Sequence, residues 1–181
     1  MSLKLKYLSQ FPVFLHQYID DIVDMEDNGN YGFRVIPTLH GWNEESWHLI
    51  QMHLDIEVYQ HHQLYFNLFY ETVPEVRSAF LVDGFGVHGR EKWMMIPDMG
   101  YLIASIYNVI PLSLSTNLDI TFFPLVIVPC ISSSSHKMIA LGFVNNNHWV
   151  QVKLKPNCPL PPVTERCRQN CSEVAKACES A

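Results

Sequence analysis

The sequence is short of charge, and of positive charge above all. Only 17% of its 181 residues are charged, and 18 acidic against 12 basic residues give a net charge of −6 with neutral histidines. An acidic surface without a cluster of Lys and Arg repels the phosphates of nucleic acids. We therefore expect no nucleic-acid partner.

A long uninterrupted apolar segment is also missing. The longest candidate, residues 122–131, is interrupted by Pro124 and Pro129. A helix that crosses a bilayer needs about 20 apolar residues, so this segment is expected in a protein core, and we expect no membrane partner. The N-terminus carries Lys4 and Lys6, but no apolar stretch follows that is long enough for a secretory signal.

Cysteine is absent from the first two thirds of the chain. The five cysteines are Cys130, Cys158, Cys167, Cys171 and Cys178. Their odd number and clustering favour reduced thiols in a cytoplasmic or nuclear protein over a disulfide framework. Because their spacing matches no known zinc ribbon or finger, we expect no metal and no cofactor.

Apolar side chains, by contrast, are plentiful enough for one substantial core. They make up 48% of the chain, with 4 Trp, 8 Tyr and 10 Phe. Apolar spacing and turn residues predict helices over 31–41, 43–70 and 97–107, and strands over 111–115, 120–128, 138–144 and 148–154. Helices followed by a mostly antiparallel sheet indicate a single α+β domain over residues 1–154. Residues 155–181, which contain Pro and Cys, are predicted to form a C-terminal strap or tail.

Two motifs point to a catalytic arrangement. Asn28, Gly29 and Asn30 form a turn that leads into a helix at Tyr31. The N-terminus of a helix lowers the pKa of a thiol placed there, and its N–H groups can hold an oxyanion. His148 opens a strand after an Asn-rich turn, where a rigid strand can present it as a general base. Together the motifs are typical of a nucleophile and its base.

With these motifs, residues 17–162 resemble the ovarian-tumour (OTU) family of cysteine proteases, which cut ubiquitin from proteins, and within it the plant, transposon-associated type. The family's nucleophile motif is Asp-Gly-Asn-Cys, then one residue, an aromatic residue and Arg. It falls on Asn28, Gly29, Asn30, Tyr31, Gly32, Phe33 and Arg34. The family's base falls on His148, followed by the usual aromatic residue, here Trp149. The resemblance implies an OTU-like cysteine-protease fold, with a mostly antiparallel sheet packed between helices.

The departures from the family pattern imply a loss of activity. Tyr31 stands in place of the cysteine, Asn28 in place of the aspartate, and Val150 at the alternative position for the acid. A phenol with a pKa of about 10 is only ~0.1% ionised at pH 7. The resemblance therefore implies a degenerate triad of Asn28, Tyr31 and His148, with Gly29 and Asn30 as a vestigial oxyanion turn. Asp27, one position away, is an alternative source of the carboxylate.

Function is then expected to depend on protein contacts. Candidates for a partner surface are Phe85, Trp93 and Trp149, the first two flanking a Gly-rich loop. The resemblance implies a catalytically inactive pseudoprotease whose partner is ubiquitin or a ubiquitinated protein. Two alternatives remain open: an active hydrolase with a relocated nucleophile, and a regulatory interaction protein that no longer binds ubiquitin.

Overall fold

The computed structural model describes residues 3–25, 31–69, 72–81, 89, 92–126 and 137–171. Its regular elements are α1 (Leu3–Tyr7), β1 (Ile19–Val23), α2 (Tyr31–Leu39), α3 (Trp47–Gln60), α4 (His62–Phe69), α5 (Val73–Phe80), α6 (Asp98–Tyr107), β2 (Ile110–Leu114), β3 (Ile120–Thr121), β4 (Met138–Val144), β5 (His148–Leu154) and α7 (Glu165–Asn170). Among the helices in these ranges, none has the length and apolar character that a bilayer crossing requires.

Five strands form one sheet in the order β1-β5-β4-β2-β3. Only β2 and β4 are parallel, so the expected α+β class with a mostly antiparallel sheet is confirmed. Successive side chains of a strand point to opposite faces. On one face Phe143 contacts Trp149, with ring centroids 4.8 Å apart. On the other face a Cβ at Gly142 would lie 2.7 Å from the ring of Phe11, so only glycine allows this close approach.

The predictions that rest on local turn chemistry are confirmed. Strands β4 and β5 have the predicted bounds, and Asn145 and Asn146 between them adopt positive φ angles of 54° and 57°. Asparagine tolerates this left-handed conformation better than most residues. Helix α6 begins directly after Pro97 and ends at Tyr107, and Asn108, which follows it, is also left-handed.

Two predicted elements are shorter in the structure. The helix predicted over 43–70 is divided at His61 into α3 and α4. The Asn43 side chain accepts the Glu45 N–H at 3.0 Å as a cap, but a single 3-10 turn precedes α3. Of the strand predicted over 120–128, the described residues 120–126 contain only β3, and Pro124 in this segment has no N–H for a sheet ladder.

The prediction that all helices precede the sheet is wrong, because β1 lies before α2. It forms an edge of the sheet, where it pairs with β5. Its sequence Ile-Asp-Asp-Ile-Val exposes two carboxylates and so breaks the apolar alternation that marks a strand. Charged residues are a common feature of edge strands because they discourage further pairing.

The C-terminal strap, which we define as residues 155–171, packs along β3. Thr121 donates its backbone N–H to Pro162 O at 3.1 Å and its hydroxyl to Pro161 O at 2.6 Å. Thr164 caps α7 by accepting the Cys167 N–H, and its hydroxyl also hydrogen-bonds the buried Tyr101 hydroxyl at 2.7 Å. The strap buries the side chains of Cys158, Val163, Cys167 and Cys171. These contacts make it part of the folded structure.

Helix α2 continues through Pro37 and ends at Leu39. Gly41, with φ of +73°, turns the chain away from the helix, as predicted for a stop at this glycine. Arg34 is only 2% exposed and pairs with Glu45 at 2.7 Å, which joins α2 to the turn before α3. This fixed helix begins at Tyr31.

His40 makes stability depend on pH. Its ring lies 4.8 Å from that of Tyr107 and 5.4 Å from that of Trp42. Burial lowers the pKa of His40, and the charge of Lys137 lowers it further. Below the usual histidine pKa of about 6.5, the unfolded chain binds a proton that the folded chain resists. The free energy of unfolding should therefore fall as the pH is lowered from 7 to 5.

Urea unfolding at pH 5, 6, 7 and 8 measures this dependence. His40→Gln should flatten the profile between pH 7 and 5, whereas His48→Gln, at an exposed position, should leave its shape unchanged. Equal slopes in the native protein and His40→Gln would contradict the prediction.

Candidate functional site

The pairing of β1 with β5 brings a carboxylate to His148. Val23 is paired with Gln151, so Asp24, the next residue, lies beside the first half of β5. Nε2 of His148 is within hydrogen-bond distance of Asp24 Oδ1. A carboxylate can only accept, so Nε2 is the donor. The Met25 N–H also donates to Asp24 Oδ1, at 3.0 Å, and fixes the carboxylate in place.

This pair has the chemistry of an acid–base couple. A carboxylate on Nε2–H selects one tautomer of the imidazole and makes Nδ1 its basic atom. The imidazole is largely enclosed, with 14% of the side chain exposed, while the carboxylate is 38% exposed. His148 is therefore oriented for work as a base.

The expectation that His148 lacks an acid is wrong. The sequence motifs offer Asn28, Asp27 and Val150 as positions for the acid. They do not indicate Asp24, which is 124 residues from His148 in the sequence. The contact depends on the pairing of β1, the strand that was not predicted. The available signal was a carboxylate directly after Ile22-Val23, at the end of a short apolar segment.

A polar cavity of about 360 Å³ lies over the pair. Besides Asp24 and His148, its lining includes Trp93, Lys6 and Tyr7. The Lys6 ammonium lies 4.6 Å from the centre of the Tyr7 ring. A hydrogen bond with Tyr7 raises the pKa of Lys6, and the charge of Asp24 contributes to the rise. The cavity thus holds a permanent cation near the acid–base pair.

The predicted nucleophile position lies at the start of α2. Tyr31 is the first residue of this helix, which packs against β5. A Cβ on the next residue, Gly32, would lie 2.7 Å from Met94 Cβ, and Met94 adjoins Trp93 in the cavity wall. The first turn of α2 is thus close to the wall of the cavity that His148 lines. Asn28, Gly29, Asn30 and the alternative acid Asp27 lie outside the described residues, as does the Tyr31 side chain.

An adjoining groove of about 530 Å³ shares Trp93 with the cavity. Its apolar lining includes Phe143, Leu118 and Trp149, and its polar lining includes Asp98. Burial raises the pKa of Asp98, although its hydrogen bond from the Thr72 hydroxyl, at 2.7 Å, acts in the opposite direction. This arrangement can take an extended chain with an apolar side chain.

The aromatic residues proposed for a partner surface differ in position. Trp93 is half-buried and lines both the cavity and the groove. Trp149 is buried and reaches the groove only at its edge, with 6% of the residue exposed. Phe85 lies outside the described residues. Of the two described residues, Trp93 is therefore the better placed to contact a partner.

The cysteines within the described residues do not line the cavity. Cys158, Cys167 and Cys171 are buried in the strap. Burial raises the pKa of the Cys158 thiol, which disfavours the reactive thiolate. Cys167 Sγ accepts the Phe123 N–H at 3.4 Å. Across the described ranges, no three His, Cys, Asp or Glu side chains are grouped to hold a metal ion. Cys130 and Cys178 lie outside those ranges.

Sequence comparison identifies no relative: no protein-family model matches the chain, and no curated protein is similar to it. Solved structures do match its fold. The OTU domain of OTUD1 superposes with a TM-score of 0.50 at 13% identity, over 74% of this chain and 85% of that one.

Two viral OTU domain proteases also match. The enzyme from Dera Ghazi Khan virus gives a TM-score of 0.53 at 11% identity, over 78% of this chain and 84% of its own. The enzyme from Farallon virus gives 0.51 at 15% identity, over 79% and 88%. These matches confirm the expected fold. The plant, transposon-associated type stays a prediction.

Proposed function

We propose that this chain, which has the fold of OTU domains, is a catalytically inactive pseudoprotease that acts by binding ubiquitin or a protein that carries ubiquitin. The observation that carries the proposal is a tyrosine at position 31, the first residue of α2, in a chain that keeps the Asp24–His148 pair. The Asp24–His148 contact supports the assignment of an acid and a base, and a phenol stands where the resemblance calls for a thiol.

A phenol at this position does not replace a thiol. A free phenol, with a pKa of about 10, gives up its proton less readily than a free thiol, with a pKa of about 8.5. The phenol also lacks the intrinsic nucleophilicity of a thiolate. The described cysteines are buried in the strap, which argues against their use as a relocated nucleophile.

The cavity and the groove supply a reason to bind protein. Together they offer a concave surface with aromatic walls next to the Lys6 ammonium, and Trp93 lines both. Tryptophan in such a position is often a hot spot of protein recognition. The resemblance to ubiquitin-cleaving enzymes makes the C-terminal tail of ubiquitin the proposed occupant.

We expect the full chain to bind ubiquitin and to leave ubiquitin chains intact. Titration into ¹⁵N-labelled ubiquitin, followed by NMR, should give saturable shifts that include the C-terminal tail. Trp93→Ala should weaken binding at least about fivefold, a modest loss for an interface tryptophan. Trp42→Ala is the matched control, because Trp42 is 43% exposed and lines neither recess.

Other outcomes would select the alternatives. Cleavage of ubiquitin chains by the native protein, abolished by His148→Ala, would show an active hydrolase. The absence of NMR shifts at saturating protein concentration would show an interaction domain that does not bind ubiquitin.

A further inference from the structure

Helix α3 is apolar on two opposite sides. Its inner side packs against α2, α5 and α6, and its residues Trp47, Ile50, Leu54 and Val58 are at most 2% exposed. Its other side carries four large apolar residues that we call the outer stripe: Leu49, Met52, Ile56 and Tyr59, which are 36%, 50%, 44% and 77% exposed. A helix that is apolar all round is normally buried all round. The outer stripe therefore calls for a partner.

The spacing of the outer stripe suits a second copy of the same helix. Its members are separated by three, four and three residues, a pattern that reads the same in both directions. In an antiparallel pair related by a twofold axis at Leu54, Leu49 lies opposite Tyr59, and Met52 lies opposite Ile56. Such an interface uses the same patch on both copies and closes at the dimer.

The charges beside the outer stripe permit this pairing. Two copies that each carry −6 repel one another over much of their surface. Beside the stripe, however, Asp55 is already paired with Arg77 at 3.1 Å. The same twofold axis places Asp55 beside Asp55 of the second copy, and the Arg77 of each chain offsets the charge of its own carboxylate. Glu57 accepts a hydrogen bond from the Tyr65 hydroxyl within its own chain.

The exposed area is sufficient for a weak dimer. With large side chains presenting about 200 Å² each, the exposed parts of the outer stripe amount to roughly 400 Å² per copy. Two copies then bury roughly 800 Å² before any polar rim is counted, an area typical of weak and transient association.

We propose that the outer stripe of α3 is the interface of a homodimer in which two α3 helices pack antiparallel. The interface belongs to the helical side of the fold, whereas Asp24 and His148 lie on β1 and β5, so the proposal does not depend on the proposed function. We expect a weak dimer, with a dissociation constant on the order of 10 µM.

Sedimentation equilibrium of the full chain at 2–200 µM tests the proposal. The native protein should show a reversible monomer–dimer equilibrium. Met52→Glu should raise the dissociation constant at least tenfold, since it places a carboxylate in an apolar contact. Val13→Glu is the control, because it adds the same charge at a residue that is 81% exposed and outside the outer stripe.

A mixing experiment tests the register of the two helices. Met52→Glu and Ile56→Lys should each be monomeric alone but should associate when mixed, because the carboxylate of one then faces the ammonium of the other. Circular dichroism of each variant checks that the fold is unchanged. A native protein that stays monomeric at 200 µM, equal weakening by Val13→Glu, or a mixture that fails to associate would overturn the proposal.

Discussion

Replacing Tyr31 by cysteine is expected to give the chain hydrolase activity on ubiquitin C-terminal amides. The new thiol stands at the first residue of α2, where the helix N-terminus favours the thiolate. His148, held by Asp24, can take the thiol proton and give it to the departing amine. We expect kcat/KM for a fluorogenic ubiquitin C-terminal amide to rise at least about 10³-fold above the native background.

Asp24 should act as the positioning residue in this restored site. In the Tyr31→Cys background, Asp24→Asn should lower kcat about 10²–10⁴-fold, because an amide does not hold the imidazole in the required tautomer. Asn28→Asp in the same background should change kcat less than about tenfold, since the acid is already present. Asp21→Asn is the matched control, because this β1 carboxylate is exposed and pairs with Lys153 at 3.6 Å.

Two results would contradict this assignment. One is activity that appears only when Asn28→Asp accompanies Tyr31→Cys, which would assign the acid to position 28. The other is equal activity of the Asp24→Asn and Asp21→Asn variants, which would remove Asp24 from the site.

Removal of the C-terminal strap should have the largest effect on stability. A chain that ends at Leu154 loses the partners of Thr121 and the buried side chains of Val163, Cys167 and Cys171. Each buried apolar side chain contributes about 1.5–3 kcal/mol, part of which is offset by the cost of ordering the strap. We expect the free energy of unfolding to fall by at least about 3 kcal/mol.

Single substitutions in the strap should give a graded response in urea unfolding. Thr164→Ala removes the cap of α7 and leaves the buried Tyr101 hydroxyl without this partner, which should cost about 1–3 kcal/mol. Gln169→Ala, at an exposed position of α7, should change stability by less than about 0.5 kcal/mol. A truncated chain as stable as the full one would contradict the role of the strap.

The elements that could be predicted from sequence are those with local signals. Asn145 and Asn146 mark the turn between β4 and β5, and Pro97 and Asn108 flank α6. Each of these residues determines its own backbone conformation, so no knowledge of distant contacts is needed. The same Asn-rich turn predicts that β5 begins at His148.

The acid of the site could not be predicted in this way. Asp24 contacts His148 only because β1 pairs with β5, a strand that is far from it in the sequence. Two exposed carboxylates within β1 hide the apolar alternation that would have revealed the strand. The nucleophile position, in contrast, is predicted from the motif that contains Tyr31. The match to solved OTU domains supports the fold on which this prediction depends.

We therefore propose that the site has kept its base and its acid, His148 and Asp24, and has lost its nucleophile. The hydrogen bond from His148 to Asp24 has no obvious benefit for a binding domain beyond local order. The retained pair does, however, predict that the single substitution Tyr31→Cys is enough to restore hydrolase activity. A chain that had lost all of its catalytic residues would not respond to this substitution.

The most direct test is the intact mass of the native protein after incubation with ubiquitin that carries an electrophile at its C-terminus. We expect an unchanged mass for the native chain and a stoichiometric adduct for Tyr31→Cys. A stoichiometric adduct on the native chain, lost in His148→Ala, would show a working nucleophile and contradict the proposed loss of the nucleophile.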